Sequence, residues 1–254
     1  MVTYALWIGG IGLESVILFR SAKSPILRTY PRFCIYMICI LAGDVGLWPV
    51  YRMFSWETYG RFYWAKEFIC VIAGYALVME ILERALDSYD GPRKLARKAA
   101  FAVFAGIVAF TTGEWLLQRS VRFPLTGVEV QRDLRTAELI LISLIISLLL
   151  YYRIPIGRNL KGIMLGYGLC VTTVVVGDAV RSYAGMQFQT AFSALRSYSF
   201  FASLLIWTVF LWSYQPNPVP ERSTQLADDY DTLATWTKGA LDGVRGHFRK
   251  AVGP

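Results

Sequence analysis

The sequence predicts an all-α fold, a polytopic membrane bundle of seven transmembrane helices, and three observations carry that prediction. Apolar residues make up 55% of the 254-residue chain and charged residues only 17%, where a soluble domain carries about a quarter charged. The apolar residues arrive in runs long enough to cross about 30 Å of hydrocarbon as helices. The basic residues gather in short clusters between those runs, as membrane topology requires. A net charge of +8 would also suit a nucleic-acid binder, but this clustering argues against that class.

The first predicted helix covers about residues 4–19. Gly9, Gly10 and Gly12 let a neighbouring helix approach closely, and Glu14 interrupts the apolar run. The amino end is not basic and lacks a small-residue cleavage site, so the run reads as a retained signal anchor. Arg20, Lys23, Arg28 and Arg32 follow without an acid. The second helix, about 33–51, contains Asp44, and Pro49 is expected to kink it or end it.

An aromatic loop, 54–61, leads into the third helix, 62–84, with the sequence FYWAKEFICVIAGYALVMEILER. It carries Lys66 and Glu67 near one rim and Glu80 and Glu83 near the other. An apolar span with charges inside both rims fits a helix at the centre of a bundle, where protein rather than lipid surrounds it. Lys66, Ala73, Leu77, Glu80 and Arg84 fall along one stripe, with Glu67 on a neighbouring one.

An Asp-Gly-Pro turn and the cluster Arg93, Lys94, Arg97 and Lys98 precede the fourth helix, 99–117, which contains Glu114. Residues 118–135 read as the longest connection. The fifth helix, 134–152, starts at its polar end with Glu138 and continues as LILISLIISLLLYY. The sixth, 160–180, opens on GIMLG, a GxxxG match that licenses close helix packing and no more. It closes near Asp178 and Arg181. The seventh, 196–214, is aromatic at both ends, as an interfacial belt requires.

The chain thus divides into a transmembrane domain, 1–215, and a tail, 216–254, that starts as a proline-rich linker. In the tail Leu226, Tyr230, Leu233, Leu241, Val244 and Phe248 recur at helical spacing. Lys238, Arg245, Arg249 and Lys250 lie off that stripe. This pattern predicts an amphipathic helix on anionic inner-leaflet lipid. Packing on a separate cytoplasmic output protein is the alternative, and Gly239, Gly243 and Gly246 favour a partly disordered tail.

Lysine and arginine counts set the expected orientation. With the amino terminus outside, inner loops hold twelve and outer loops nine, and the tail adds five to the inner side. The amino terminus is therefore expected out and the carboxyl terminus in.

In this orientation Asp44, Lys66, Glu67, Glu114, Glu138 and Asp178, with Arg52, Arg135, Arg181 and Arg196, share an outer polar layer. Arg135 with Glu138, and Asp178 with Arg181, are spaced to pair along one helix face. Such a layer is either a self-satisfied network that sets helix register or an outward pocket for a small polar or zwitterionic ligand. The candidate ligand-binding residues are Asp44, Lys66, Glu67, Glu138, Asp178 and Arg181. A proton path through Glu14, Glu67 and Glu80 is the alternative, and the separation of Glu67 from Glu80, about 20 Å of helix, demands intervening waters.

The four cysteines all fall in apolar runs and the single histidine, His247, lies in the tail. Neither a metal site nor a haem site has the ligands it needs, and no cofactor is expected. HExxH, GxSxG and paired-aspartate motifs are absent from the sequence, so no enzymatic activity is expected. The last helix has no lysine for a retinal Schiff base, and neither a DRY-like triplet nor NPxxY occurs.

FYWAKEF and VMEIL in the third helix, ELILISLIISLLLYY in the fifth, GIMLGYG in the sixth and LRSYSFFASLLIWTVFLWSYQP in the seventh resemble uncharacterised seven-helix integral membrane proteins of bacteria, of acidobacterial type. The architecture is also similar to the seven-helix input modules of bacterial sensors, without an output domain after the last helix. The resemblance implies a multi-pass protein of the inner membrane. The function expected is a non-enzymatic sensory or small-ligand-binding module, with a small transporter or proton-coupled carrier as the alternative.

Overall fold

The structure is a computed structural model that describes residues 2–117, 123–184, 189–218, 226, 228–232 and 234–235. Lys238, Arg245, Arg249 and Lys250 lie outside the described residues, as do the side chains of Glu114 and Arg181. The helices are α1 (Val2–Ala22), α2 (Ile26–Thr29), α3 (Pro31–Met53), α4 (Trp56–Ala85), α5 (Asp90–Leu117), α6 (Phe123–Tyr151), α7 (Arg158–Ala184) and α8 (Gln189–Phe210). There is no strand among the described residues.

Four helices are long and apolar enough to cross a membrane: Ala5–Ala22 in α1, Pro31–Met53 in α3, Val130–Tyr151 in α6 and Arg158–Val180 in α7. Less than half of each such span is buried within the protein, so apolar side chains such as Ile35, Ile38, Leu144 and Leu165 face outward. That is the surface a lipid environment needs and water penalises. Of the seven expected spans, α4, α5 and α8 do not meet the same standard among the described residues. In α4 the cause is its charges, although its apolar residues are buried more completely than those of any other helix described.

The packing explains that burial. Neighbouring helices close a ring in the order α1, α3, α4, α6, α7, α8 and back to α1. α4 also touches α7 across the ring, and α5 lies against α4 and α6. α4 therefore contacts α3, α5, α6 and α7, the central placement its charges imply.

Three local devices hold the ring. Gly162 and Gly166 of α7 leave space that Phe210 and Trp207 of α8 occupy, so the GxxxG pair serves the α7–α8 contact. Fully buried Trp207 meets the ring of Phe33 edge-on at 5.4 Å, which ties α8 to α3. Asn159, also fully buried, donates to the carbonyls of Phe210 (2.9 Å) and Ser213 (3.0 Å) and accepts from the Gln215 amide at 2.7 Å. It thereby satisfies carbonyls at the end of α8 that the helix itself leaves open.

Several helix ends differ from expectation: α4 begins at Trp56, inside the segment read as an aromatic loop, α5 begins at Asp90, where the Asp-Gly-Pro turn was expected, and α8 begins at Gln189 rather than near 196. α6 begins at Phe123, inside the segment read as a connection. Gln131 and Arg135, polar residues of that segment, are buried, as is Glu138 a turn further on. α3 continues through Pro49 to Met53. Proline costs most in a helix interior, and here it stands in the last turns of the helix.

The described part of the tail packs on the bundle. Leu226 is buried in its core, Tyr230 covers Gly91 at the start of α5, and Asp229 accepts a hydrogen bond from the Tyr152 hydroxyl at 2.9 Å.

Candidate functional site

The charged layer forms where the C-terminal half of α3 meets the N-terminal halves of α4, α6 and α8. Antiparallel neighbours bring these ends to one level. Glu67, 3% exposed, is the hub. Its Oε2 accepts from Gln131 Nε2 of α6 at 2.6 Å and from Arg196 Nη2 of α8 at 3.2 Å. Its Oε1 accepts from Lys66 Nζ at 3.4 Å. The same ammonium lies 3.3 Å from Asp44 Oδ1 of α3, and the Lys66 stem reaches it by passing over Gly43. One buried carboxylate with one lysine thus connects four helices.

A carboxylate buried without partners is costly, and one held by several charged donors is not. Glu67 belongs to the second kind. The layer is not sealed at every member, because the Arg196 side chain keeps 45% of its surface exposed.

A second group lies deeper on α6. Arg135 Nη1 donates to Glu138 Oε2 at 2.9 Å, and the Tyr167 hydroxyl of α7 donates to the same oxygen at 2.8 Å. Gly74 of α4 makes the group possible, since a side chain there would occupy the place of the Tyr167 hydroxyl. Tyr36 of α3 closes the group with an edge-on ring contact to Tyr167 at 5.4 Å. Glu138 Oε1 and Arg135 Nε are buried without a hydrogen-bond partner. Arg135 stands close enough to Glu67 for their charges to act on each other.

Of the six sequence-predicted ligand-binding residues, the structure joins Asp44, Lys66 and Glu67 directly and places Glu138 in the second group. Asp178 of α7 is partly buried, has interactions of its own, and lies near enough to Arg196 to act on its charge. The Arg181 side chain lies outside the described residues. Gln131, Arg196, Tyr167 and Tyr36 were not among the sequence candidates. Arg196 was recognised as a rim residue, but its contact with Glu67 spans 129 positions in sequence, beyond the reach of any local pattern.

The three acids of the expected proton path have different surroundings. Glu14 is fully buried and both its carboxyl oxygens lack a partner, while Asp44 and Lys66 stand within electrostatic reach. Glu67 is the hub already described. Glu80 lies at the opposite end of the bundle, where its Oε1 accepts from the Arg32 amide at 3.1 Å and its Oε2 from the Phe33 amide at 2.9 Å. These are first-turn amides of α3, whose N-cap residue Tyr30 supplies no side-chain cap. A buried carboxylate from a neighbouring helix thus performs the capping, favoured by the positive end of the α3 dipole. Glu80 turns to α3 rather than to Arg84, and Glu83 pairs with Arg32 at 3.1 Å.

The four cysteines are free, and no cluster able to hold a metal ion occurs among the described residues. Comparison with family models, with curated proteins and with solved structures finds no match.

Proposed function

We propose that the chain is a non-enzymatic sensory or small-ligand-binding membrane module of seven spanning helices, amino terminus out, whose outer polar layer receives a small zwitterion or anion. The observation that carries this reading is the Glu67 clamp. It draws on donors from three helices, one of which, Arg196, remains half open to the surroundings. A ligand carboxylate competing for Arg196, or a ligand ammonium competing for Glu67, would loosen α8 from α4. Differential affinity for the clamped and released packings is what a signal requires. Lys66, Gln131 and Asp44 would then re-pair within the layer.

The test is the thermal stability of the purified protein in lipid nanodiscs against a panel of amino acids, betaines and small dicarboxylates. A panel member is expected to shift the unfolding temperature of the wild type and to lose its effect in Arg196→Gln. A panel without any effect on the wild type would leave the clamp as a structural lock and count against ligand binding.

A second reading, a small proton- or cation-coupled carrier, has one specific observation in its favour. The buried and unpartnered Glu14 carboxyl must find a proton, a cation or a donor from outside. Flux into proteoliposomes, compared between wild type and Glu14→Gln, tests it. Rates equal to those of empty vesicles would remove the carrier reading.

A further inference from the structure

At the C-terminal end of α8, basic side chains gather beside an apolar groove. The groove runs between α1 and α8 and is lined by Val16, Ile17, Trp207, Thr208, Leu211 and Trp212, with Arg20 on its rim. Ile17, Trp207 and Leu211 form a buried floor, and Val16 and Trp212 stand exposed on its walls. The Arg20 guanidinium lies over the Trp212 ring, 4.5 Å from its centroid, and donates to the Trp212 carbonyl at 2.5 Å. Arg158 of α7 reaches the same helix end and donates to the Val209 carbonyl at 3.0 Å. Lys23 lies over Phe19, 4.1 Å from its centroid. Among the described residues none of these three cations has a carboxylate partner.

We infer that this is a binding site for one anionic phospholipid, its phosphate on Arg20 and Arg158 and an acyl chain in the α1–α8 groove. The carbonyl end of a helix repels anions, and the two guanidiniums reverse that sign at the end of α8. Each has five N–H donors and uses one of them on a carbonyl, which leaves donors for phosphate. The groove is apolar along its lining, and Arg20 is its only charged member. A chain with an anionic head at one end fits that combination. Basic pockets between spanning helices select anionic head groups in this way. Inorganic phosphate would satisfy the cations and leave the groove empty. The inference rests on the membrane reading above and adds a site at the end of the bundle opposite to Glu67.

The test reconstitutes the full chain in vesicles of mixed phosphatidylcholine and phosphatidylglycerol, extracts it gently and counts retained lipids by native mass spectrometry. The wild type is expected to keep phosphatidylglycerol in preference to phosphatidylcholine. Arg20→Gln and Arg158→Gln should each lower that retention by about fivefold. Val16→Trp fills the groove with both arginines in place, so it should lower retention without removing charge. Lys98→Gln, an exposed basic site on α5, should behave as wild type. Equal retention in all variants would overturn the inference, as would equal retention of the two lipids. Protection from thermal unfolding by inorganic phosphate as strong as that by phosphatidylglycerol would also overturn it. Insertion into vesicles without lipid preference removes this site and leaves the membrane bundle standing. Failure to enter vesicles at all removes both.

Discussion

The hydroxyl of Tyr167 sits where a side chain at Gly74 would be, so one missing methyl group on α4 makes room for the Arg135–Glu138–Tyr167 group between α6 and α7. Gly74→Ala should push that hydroxyl off the Glu138 carboxylate. Overpacking a filled core of this kind costs about 1–3 kcal/mol. Reversible unfolding in mixed micelles would measure it, and Gly74→Ala combined with Tyr167→Phe should recover part of the loss. An unchanged stability in Gly74→Ala would show that the three groups are not held against α4.

The Arg135–Glu138 pair is fully enclosed, with exposures of 7% and 0%. Removing one partner of a buried pair leaves an uncompensated charge and costs about 3–5 kcal/mol, whereas apolar replacement of both is often neutral. Arg135→Met should therefore destabilise more than the double variant Arg135→Met, Glu138→Leu. A double-mutant cycle reads the difference directly, and additive losses would contradict a coupled pair.

Glu80 caps α3 from a neighbouring helix. Glu80→Gln keeps one acceptor oxygen and turns an amide group toward the second backbone N–H. The expected loss is about 1.5–3 kcal/mol, the scale of a hydrogen bond to a charged group. Because Glu80 lies at the end of the bundle away from Glu67, this variant should respond to ligand as the wild type does. A loss of ligand response at unchanged stability would link the two ends of α4 and favour the proton path through Glu80.

Much of the fold was legible because membrane-compatible helices announce themselves by run length. The central place of α4 was legible too, since charges inside both rims of an apolar run need protein around them. The start of α6 was not. Gln131 looks like loop chemistry until its partner Glu67 on α4 is known, and that partner is remote in sequence. The Glu80 cap was hidden for the same reason. An acid in the last turns of one helix suggests a local partner such as Arg84, and nothing local points to the amides of Arg32 and Phe33. The spacing of Arg135 and Glu138 on one helix face, by contrast, is a local rule, and the pair forms.

Arg153 ends α6 in the left-handed region, with φ of 51°. Its amide bonds to Leu150 O at 3.3 Å and the Ile154 amide to Leu149 O at 2.9 Å. This is the Schellman pattern, in which glycine is the usual residue. Arg153→Gly removes the Cβ penalty and should stabilise the protein by up to about 1 kcal/mol. Thermal unfolding checks it; a lower unfolding temperature would show that the Arg153 side chain contributes more than its backbone conformation costs.

The central claim is an outward-facing polar layer in a membrane-spanning bundle, and cysteine accessibility tests it most directly. In a background with Cys34, Cys39, Cys70 and Cys170 replaced by serine or alanine, Arg196→Cys and Arg158→Cys place one thiol at each end of the bundle. A membrane-impermeant maleimide applied to intact cells is predicted to label position 196 at once and position 158 only after permeabilisation. Labelling of 158 from outside with 196 protected would reverse the orientation. Labelling of both from the same side would contradict the bundle as a membrane-spanning unit.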